Sequence, residues 1–349
     1  MINGWIILDK PVGIGSTPCV SAVKRALREA GEPKHRVGHG GTLDPLASGV
    51  LPIAIGEATK LAGRMLDATK VYEFTVRLGE QTDTLDLEGA VIATSDVRPS
   101  LAEVEAMLPH FTGLIEQVPP NYSALKVDGK RAYDLARAGK EFELKTRSVT
   151  VYELQALPEL VRGGGPSAQP MVEGKTVFPN FPSTTLSARS PSPSELGEEL
   201  GSITLLATVS KGTYIRSLSR DIAIALGTVG HVTMLRRTKA GPFDLTHAIS
   251  LDKLADLAKA RSLDGAVLPL IAGLDDIPAL PDTPEEATLL RHGQKLDRTL
   301  ATPGLVLAID AGRPVALVEA GTDGLRVVRG FNIKSRSIRC RLPLKTSRS

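Results

Sequence analysis

The chain has 349 residues, of which 42% are hydrophobic and 23% charged, and its formal net charge is +3 at pH 7. This composition is typical of a soluble globular protein of two domains, or of one domain with additions, and the net charge is too small to identify a polyanion partner by itself. No apolar run is long enough to span a bilayer, and residues 1–5 carry no secretory signal. Cys19 and Cys340 form neither a metal-binding spacing nor a disulfide framework, so we expect a cytoplasmic protein.

Hydrophobic periodicity predicts a mixture of strands and helices along the chain. Alternating or continuous apolar runs predict strands over 5–11, 70–79, 146–154, 203–209, 305–310 and 314–319. Apolar residues at helical spacing predict helices over 16–30, 100–111, 132–138, 217–226 and 285–292. We expect Ser16 or Thr17 to be the N-cap of the first helix, and Ser100 with Glu103 to form a capping box on the second.

Two changes in composition divide the chain. Residues from about 158 to 201 are rich in Gly, Pro and Ser, which predicts a disordered or loosely held insertion. A second change at 280–284 precedes a small β-rich C-terminal module. From 325 to 349 there are eight Lys or Arg residues and no Asp or Glu. Such a cluster attracts phosphate backbones, although charge alone is equally compatible with a solvated, disordered tail.

A glycine-rich run over residues 38–49 places one carboxylate, Asp44, between apolar residues. Glycines let the backbone turn sharply and approach a ligand closely, and Pro45 biases Asp44 away from helix. A carboxylate on such a loop is a candidate nucleophile or base. The alternative is that Asp44 caps the next element or forms an Asx-turn, and the run alone leaves both interpretations open.

A catalytic carboxylate needs a partner that keeps it ionised and aimed. Arg216 can do both through a bidentate pair, and Tyr72 and Tyr214 offer flat faces on which an unpaired base can stack. His39 lies beside glycines, where it could bond within the loop or contact a phosphate. The structural alternatives are packing for Tyr72 and a surface or capping charge for Arg216.

Motifs for metals and nucleotide cofactors are not found in the sequence. Asp83 and Asp86 lack the fuller ligand pattern of a calcium loop, and the His and Cys positions offer no zinc spacing. No Walker or dinucleotide fingerprint occurs. We therefore expect no metal site.

Taken together, these segments resemble the bacterial TruB-type tRNA pseudouridine-55 synthases. The combination of Gly-x-Leu-Asp-Pro, ending at Pro45, with Lys-Gly-Thr-Tyr-Ile-Arg, ending at Arg216, is highly specific. The resemblance is strong over 3–155 and 202–250, and 290–294 with 329–331 are similar to the family's reduced PUA-type RNA-binding appendage. The segments that match in order and spacing are Lys10-Pro11 with Gly13 and Ser16, then 38–49, 56–60, 70–86 and 211–216.

The resemblance implies an α+β pseudouridine-synthase fold, with a mixed, mainly antiparallel sheet flanked by helices. It implies a catalytic domain over 1–278, containing the insertion at about 158–201, then a PUA-like module over 279–333 and a basic tail over 334–349. The insertion is longer than the connection usual in the family. It is expected to be tolerated, because the cost of closing a loop grows slowly with its length.

The resemblance also implies the site and the reaction, which converts a T-loop uridine of tRNA, at position 55, to pseudouridine without metal or organic cofactor. Asp44 matches the catalytic aspartate, Arg216 its basic partner, and Tyr72 the residue that stacks on the flipped uracil. The matching substrate-binding positions are His39, which helps to extrude the base, Tyr214 and Leu235, which line the uridine pocket, and Lys10.

The tRNA T-arm is the expected partner, and we expect a monomer with no obligate protein partner. Phosphate contacts are expected from Lys126, Lys130, Arg131 and the basic tail, so removing the chain after Gly330 should weaken tRNA binding. The alternatives are a non-catalytic RNA-binding or RNA-folding protein and a nucleosidase that hydrolyses the same bond.

The candidate residues argue against both alternatives. Asp44 together with Arg216 and Tyr72 argues against lost chemistry. Glycoside hydrolysis usually requires a second carboxylate, and Asp9 is the only nearby acid in sequence.

Overall fold

The computed structural model describes residues 2–123, 125–127, 129–157 and 200–333. The described residues form two compact units. Unit 1 contains 2–73, 208–212 and 234–333, and unit 2 contains the described parts of 74–207 together with 213–233. The basic tail at 334–349 and the predicted insertion, apart from its last two residues, lie outside the described residues.

Strands of the described chain are numbered in chain order. Those up to the gap at 158–199 are β1 (Gly4–Lys10), β2 (Val37–His39), β3 (Ala47–Ile55), β4 (Lys70–Leu78), β5 (Glu80–Thr82), β6 (Val91–Thr94), β7 (Gly113–Gln117), β8 (Lys126–Val127), β9 (Lys130–Arg131) and β10 (Arg147–Ala156). Those after it are β11 (Ser202–Val209), β12 (Gly230–Ala240), β13 (Phe243–Asp244), β14 (Ala248–Ile249), β15 (Leu268–Pro269), β16 (Ala279–Pro281), β17 (Gly304–Asp310), β18 (Arg313–Gly321) and β19 (Gly324–Gly330).

Helices are numbered in the same way. The α-helices are α1 (Ser16–Glu29), α2 (Ala62–Asp67), α3 (Leu101–Met107), α4 (Ala132–Arg137), α5 (Ile215–Ala225), α6 (Leu251–Lys259) and α7 (Pro284–Arg291). Short 3-10 helices span Gly56–Leu61, Leu108–Phe111, Leu245–His247, Leu263–Ala266 and Leu270–Gly273. Within the described ranges, no helix has both the length and the apolar composition needed to cross a membrane.

The strands and helices predicted from periodicity are confirmed, with corrections at their ends. Gly15 is the N-cap of α1, so the prediction of Ser16 or Thr17 was wrong, because the hydroxyl of Ser16 binds elsewhere. The capping box of α3 is confirmed, with Ser100 accepting from the backbone of Glu103. Helix α5 begins at Ile215, two residues earlier than predicted. The sequence did not predict β2, β3, β12 or α6.

The main sheet of unit 1 runs in the order β14-β1-β3-β12. Strand β1 is antiparallel to β3 over its whole length, and β3 is parallel to β12, with Leu235 opposite Ala47. Both faces of this sheet are buried. Ile6 and Leu8 of β1 pack in one core with α1 and α6, whereas Trp5 and Ile7 pack in a second core on the other face. This two-sided burial makes β1 a continuous apolar run.

Unit 2 contains strands in the order β4-β11-β10-β7, together with α3, α4 and α5. Strand β10 pairs antiparallel with β7, and β5 and β6 form a separate antiparallel pair. Strands β4, β11 and β12 each contain residues of both units. The mixed, mainly antiparallel pairing and the flanking helices confirm the predicted α+β fold class.

The predicted β-rich C-terminal module is a four-stranded sheet in the order β16-β17-β18-β19. It has an apolar core of its own with α7, to which Leu290, Val306 and Val318 belong. Phe331 and Leu317 instead join the second core of the main sheet. The boundary at 278/279 stays a prediction.

A buried carboxyl group in this module should make stability depend on pH. The Asp282 side chain is 0% exposed, and neither of its oxygens has a hydrogen-bond partner in the described part of the chain. Burial, reinforced by Glu286 and opposed by Arg298, whose guanidinium lies 3.7 Å from one carboxyl oxygen, raises its pKa to about 6. The folded state therefore binds the Asp282 proton more tightly than the unfolded state. Its destabilising effect is absent below about pH 4 and grows as the pH rises through 6.

We expect Asp282→Asn to be more stable than the parent protein by about 1 to 3 kcal/mol at pH 8, and the difference to shrink towards pH 4. Urea unfolding at several pH values measures this. Asp264→Asn is a control at a more exposed position. A stability difference between Asp282→Asn and the parent that stays constant from pH 4.5 to 8 would contradict the assignment.

Candidate active site

Asp44 lies in unit 1, on the loop between β2 and β3, and both of its neighbouring peptides are fastened. Leu43 donates its N–H to the hydroxyl oxygen of Ser16 at 2.8 Å, and that hydroxyl donates to the Leu43 carbonyl at 3.1 Å. On the other side, Gly13 donates its N–H to the carbonyl of Pro45 at 2.8 Å. The Ser16 hydroxyl is therefore used on this loop rather than as a helix cap. Asp44 itself is half-buried.

Lys10 is completely buried and also holds this loop. Its amine donates to the carbonyls of Pro11 at 2.9 Å, Ile14 at 2.6 Å and Pro45 at 3.2 Å. Burial lowers the pKa of Lys10, and the nearby Cys19 and Asp44 oppose that shift. Three carbonyls match the three protons of an ammonium group, so the structure shows Lys10 stabilising the loop. Its predicted contact with substrate stays a prediction.

Tyr72 and Leu235 come together in unit 1. Both are partly buried and pack against the core that contains Leu43 and Ala47, which flank Asp44 in sequence. Strand pairing places Leu235 opposite Ala47, three residues after Asp44. An aromatic face, an apolar side chain and a carboxylate-bearing loop thus adjoin one core.

Arg237 connects these parts and was missed by sequence reasoning. Its side chain is 1% exposed and donates to the carbonyls of Gly41 at 3.2 Å, Thr42 at 3.3 Å and Val50 at 2.8 Å. Its Nη1 also lies 3.5 Å from the hydroxyl of Tyr72. No local sequence pattern marks Arg237, because it lies on β12, a strand that the sequence did not predict.

His39, at the end of β2, is half-buried, and its Nδ1 has no hydrogen-bond partner among the described residues. Burial, together with the charge of Arg237, lowers the pKa of His39. Its imidazole is consequently neutral at pH 7, and one ring nitrogen is buried without a partner from the described ranges.

Arg216 lies in unit 2, in the first turn of α5, one residue before the helix predicted over 217–226. It is 6% exposed, and its Nη1 donates to a carboxylate oxygen of Asp86 at 3.1 Å and to the carbonyl of Thr84 at 2.9 Å. Its Nη2 donates to the carbonyl of Tyr122 at 2.9 Å. The other oxygen of Asp86 accepts from the Thr84 hydroxyl at 2.6 Å and from the N–H of Glu88 at 3.0 Å.

Asp86 is therefore an orienting partner of Arg216, which sequence reasoning missed. From the sequence, Asp83 and Asp86 were considered only as a possible metal pair. In the structure, a carboxylate oxygen of Asp83 instead accepts a hydrogen bond from the hydroxyl of Tyr122 at 3.1 Å. In the described ranges, no group of three His, Cys, Asp or Glu residues is arranged to hold a metal ion. Asp44 and Arg216 belong to different units, and the ion pair between them stays a prediction.

Tyr214 is the N-cap residue of α5 and is half-buried. Its N–H donates to the side-chain oxygen of Gln117 at 2.8 Å, and its carbonyl accepts from the amide nitrogen of that side chain at 3.1 Å. The guanidinium of Arg147 lies 5.2 Å from the centre of the Tyr214 ring. These contacts fix the backbone of Tyr214, and its place in a uridine pocket stays a prediction.

Asp9, the second carboxylate that hydrolysis would require, is held by an arginine. Arg236 binds both of its oxygens, at 3.1 and 2.8 Å. Asp9, the acid that the nucleosidase alternative would use, is thus engaged in a bidentate pair.

Comparison with known proteins shows the family. Residues 24–160 match the TruB family pseudouridylate synthase (N terminal domain), and residues 216–275 match the tRNA pseudouridylate synthase B C-terminal domain. The chain is 55% identical over 336 residues to tRNA pseudouridine synthase B of Novosphingobium aromaticivorans, covering 96% of this chain and 99% of the relative. It is 51% identical over 331 residues to the Zymomonas mobilis protein of the same name, covering 95% and 96%.

A solved structure extends the comparison. One chain of a Cbf5-Nop10-Gar1 complex superposes with a TM-score of 0.63 at 26% identity, covering 94% of this chain and 84% of that one. The resemblance inferred from the Asp44 loop and the segment ending at Arg216 is confirmed. This chain belongs to the TruB family of tRNA pseudouridine synthases.

Proposed function

We propose that this chain converts uridine 55, in the T-loop of tRNA, to pseudouridine, with Asp44 as its catalytic carboxylate. The reaction breaks the N1–C1′ bond, turns the uracil and joins C5 to C1′, so that C5 loses a proton and N1 gains one. The observation that carries the proposal is the fastened loop of Asp44, which one arginine side chain links to the hydroxyl of Tyr72. Asp44 either attacks C1′ or removes the C2′ proton to form a glycal.

The other site residues hold the base and the carboxylate. A stacked uridine hides its glycosidic bond, so the base must leave the stack and be retained while it is detached. Tyr72 stacks on the uracil, and Leu235 and Tyr214 line the pocket. His39 helps to extrude the base, a role supported by the Nδ1 of its neutral ring, which no described residue satisfies.

Arg216 has an electrostatic role in this proposal. We propose that Arg216 is the basic partner of Asp44, and that its guanidinium attracts the carboxylate and aims it at the sugar. Its contacts with Asp86 and two carbonyls support this role, because they hold the guanidinium in one orientation.

We further propose that the chain acts on the T-arm of tRNA as a monomer, in the cytoplasm, without an obligate protein partner. Residues 1–278 form the catalytic domain, and 279–333 form the PUA-like RNA-binding module. Lys130 and Arg131 are exposed, as phosphate contacts require, and so is Lys126.

Pseudouridine mapping tests the function directly. An unmodified tRNA transcript is treated with the protein, labelled with carbodiimide and examined by reverse transcription across its whole length. We expect one new pseudouridine, at position 55, and none in a transcript that carries cytidine there. A folded protein that binds the transcript yet leaves it unmodified would favour the RNA-binding alternative.

The basic tail carries a separate prediction. Phe331 is buried in a core, and the N–H of Asn332 donates to Glu57 at 2.7 Å, so a cut after Gly330 would damage the fold. The truncation is therefore placed after residue 333, where it removes six Lys or Arg residues. We expect weaker tRNA binding and a shallower dependence of log affinity on log salt, by about 0.7 to 0.9 for each lost phosphate contact.

Filter binding at four salt concentrations measures this slope. A full-length variant with the six tail cations replaced by Gln separates charge from chain length, and it should match the truncated protein. Unchanged affinity and slope in both variants would show that the tail is only solvated.

A further inference from the structure

The buried guanidinium of Arg237 has an unusual set of partners. In the part of the chain that the structure describes, no carboxylate forms an ion pair with it, although the side chain is only 1% exposed. Its partners are three backbone carbonyls and one phenol oxygen. Burying a charge without an opposite charge is costly, and such arrangements concentrate at functional sites.

The partners of Arg237 belong to two parts of the proposed site, the loop of Asp44 and the side chain of Tyr72. Gly41 and Thr42 are the third and second residues before Asp44, and their carbonyls face the two Nη atoms. Gly41 has a φ of +139°, a conformation that side-chain-bearing residues rarely adopt, so the loop requires glycine at this point. Tyr72, on β4, is the residue proposed to stack on the base. The guanidinium of Arg237 thus contacts the backbone of the Asp44 loop and the side chain of Tyr72 on β4.

Arg237 and its neighbour Arg236 project from opposite faces of β12. Residues two apart on a strand share a face, so Arg237 projects on the same side of β12 as Leu235, and Arg236 projects on the other. Arg236 accordingly pairs with Asp9, and Arg237 reaches the loop and Tyr72. The backbone of Arg237 also excludes a side chain at Gly49, where a Cβ would lie 2.2 Å from the Arg237 carbonyl oxygen.

We propose that Arg237 is a positioning residue, which holds the loop of Asp44 and the hydroxyl of Tyr72 in one fixed relation. The proposal rests on the catalytic roles proposed above for those two residues. Arg237 does not touch the substrate itself. It acts through the carbonyls of Gly41 and Thr42 and through the phenol of Tyr72.

Holding the loop and Tyr72 together requires the planar, branched set of donors that a guanidinium group has. Its Nε reaches Val50 while its two Nη atoms reach the loop and Tyr72, so three directions are served by one rigid plane. The ammonium of lysine is a single point charge and cannot reach all of these acceptors at once. Arg237→Lys therefore preserves the charge and removes the simultaneous contacts.

The test compares Arg237→Lys and Arg237→Gln with the parent protein, all below their unfolding midpoints. We expect Arg237→Lys to lower the single-turnover rate of pseudouridine formation at least about 30-fold, and the Kd for tRNA to change less than about threefold. Arg237→Gln should lose at least as much rate. Lys239→Met, at an exposed position of the same strand, is the control and should stay within about twofold.

A double-mutant cycle with Tyr72→Phe separates positioning from stability. If Arg237 acts through the Tyr72 hydroxyl, the rate losses of the two single variants do not multiply, and the double variant retains at least about fivefold more rate than their product. Fully multiplicative losses, or an Arg237→Lys rate within twofold of the parent, would overturn the proposal. A parent protein that forms no pseudouridine would instead overturn the proposed function.

Discussion

Asp44→Asn is expected to lower the single-turnover rate of pseudouridine formation by at least about a thousandfold, while the Kd for tRNA changes less than about threefold. The amide matches the carboxylate in shape but carries no negative charge and is a poor nucleophile and base. The peptides of Leu43 and Pro45 are fastened by backbone hydrogen bonds of their own, which the substitution leaves in place.

The measurement is single-turnover release of tritium from tRNA labelled at C5 of uridine, combined with mapping of position 55. Asp96→Asn, at an exposed aspartate, is the matched control and should be indistinguishable from the parent protein. An active Asp44→Asn variant would remove Asp44 from the chemistry. Activity that survives in Asp44→Asn but is lost in a different carboxylate variant would move the catalytic role to that residue.

Arg216→Lys is expected to lower the rate about 100-fold or more with little change in tRNA binding. The buried guanidinium donates to Asp86 and Thr84 through Nη1 and to Tyr122 through Nη2, and an ammonium group cannot reproduce these directions. Arg216→Ala should lose most turnover as well. It also leaves Asp86 buried without its cation, which we expect to cost about 3 to 5 kcal/mol of stability.

Asp86→Asn tests whether the orientation of Arg216 matters. The amide keeps an oxygen for the Thr84 hydroxyl and removes the charge that faces Arg216, so we expect a rate loss of about tenfold or more. Asp83→Asn, which alters the neighbouring contact with Tyr122 and leaves the charge of Asp86 in place, is the comparison variant and should lose less. A parental rate in Asp86→Asn would show that the pair contributes to folding alone.

The two charged residues that the sequence missed share a physical reason. Arg237 and Asp86 are recognised by burial and by partners far away in sequence, and neither stands in a local pattern. Arg237 contacts residues about 165 to 196 positions away, and Asp86 contacts Arg216 at a separation of 130. A single sequence shows the type of a charged residue, but pairing over such distances arises only when strands and helices come together.

Local features were predicted more closely. The capping box of Ser100 and Glu103, the apolar run of β1 and the helical spacing of α1 depend on neighbours a few residues apart, and all three are confirmed. The start of α5 was misplaced because the first turn contains Arg216, whose charge faces inward to Asp86 instead of outward. Strand β3 was missed because its first residues continue the glycine-rich run.

The sequence by itself determined the family, and through that resemblance the fold class and the loop of Asp44, since motifs and their order are read directly along the chain. Only the tertiary structure decided what Ser16, Lys10 and Arg237 do. Each is a polar group buried near the loop, and a buried polar group must find a partner wherever the fold offers one. The sequence provides the hydrogen-bond donors, and the packing of strands and helices decides which carbonyl oxygens accept their hydrogen bonds.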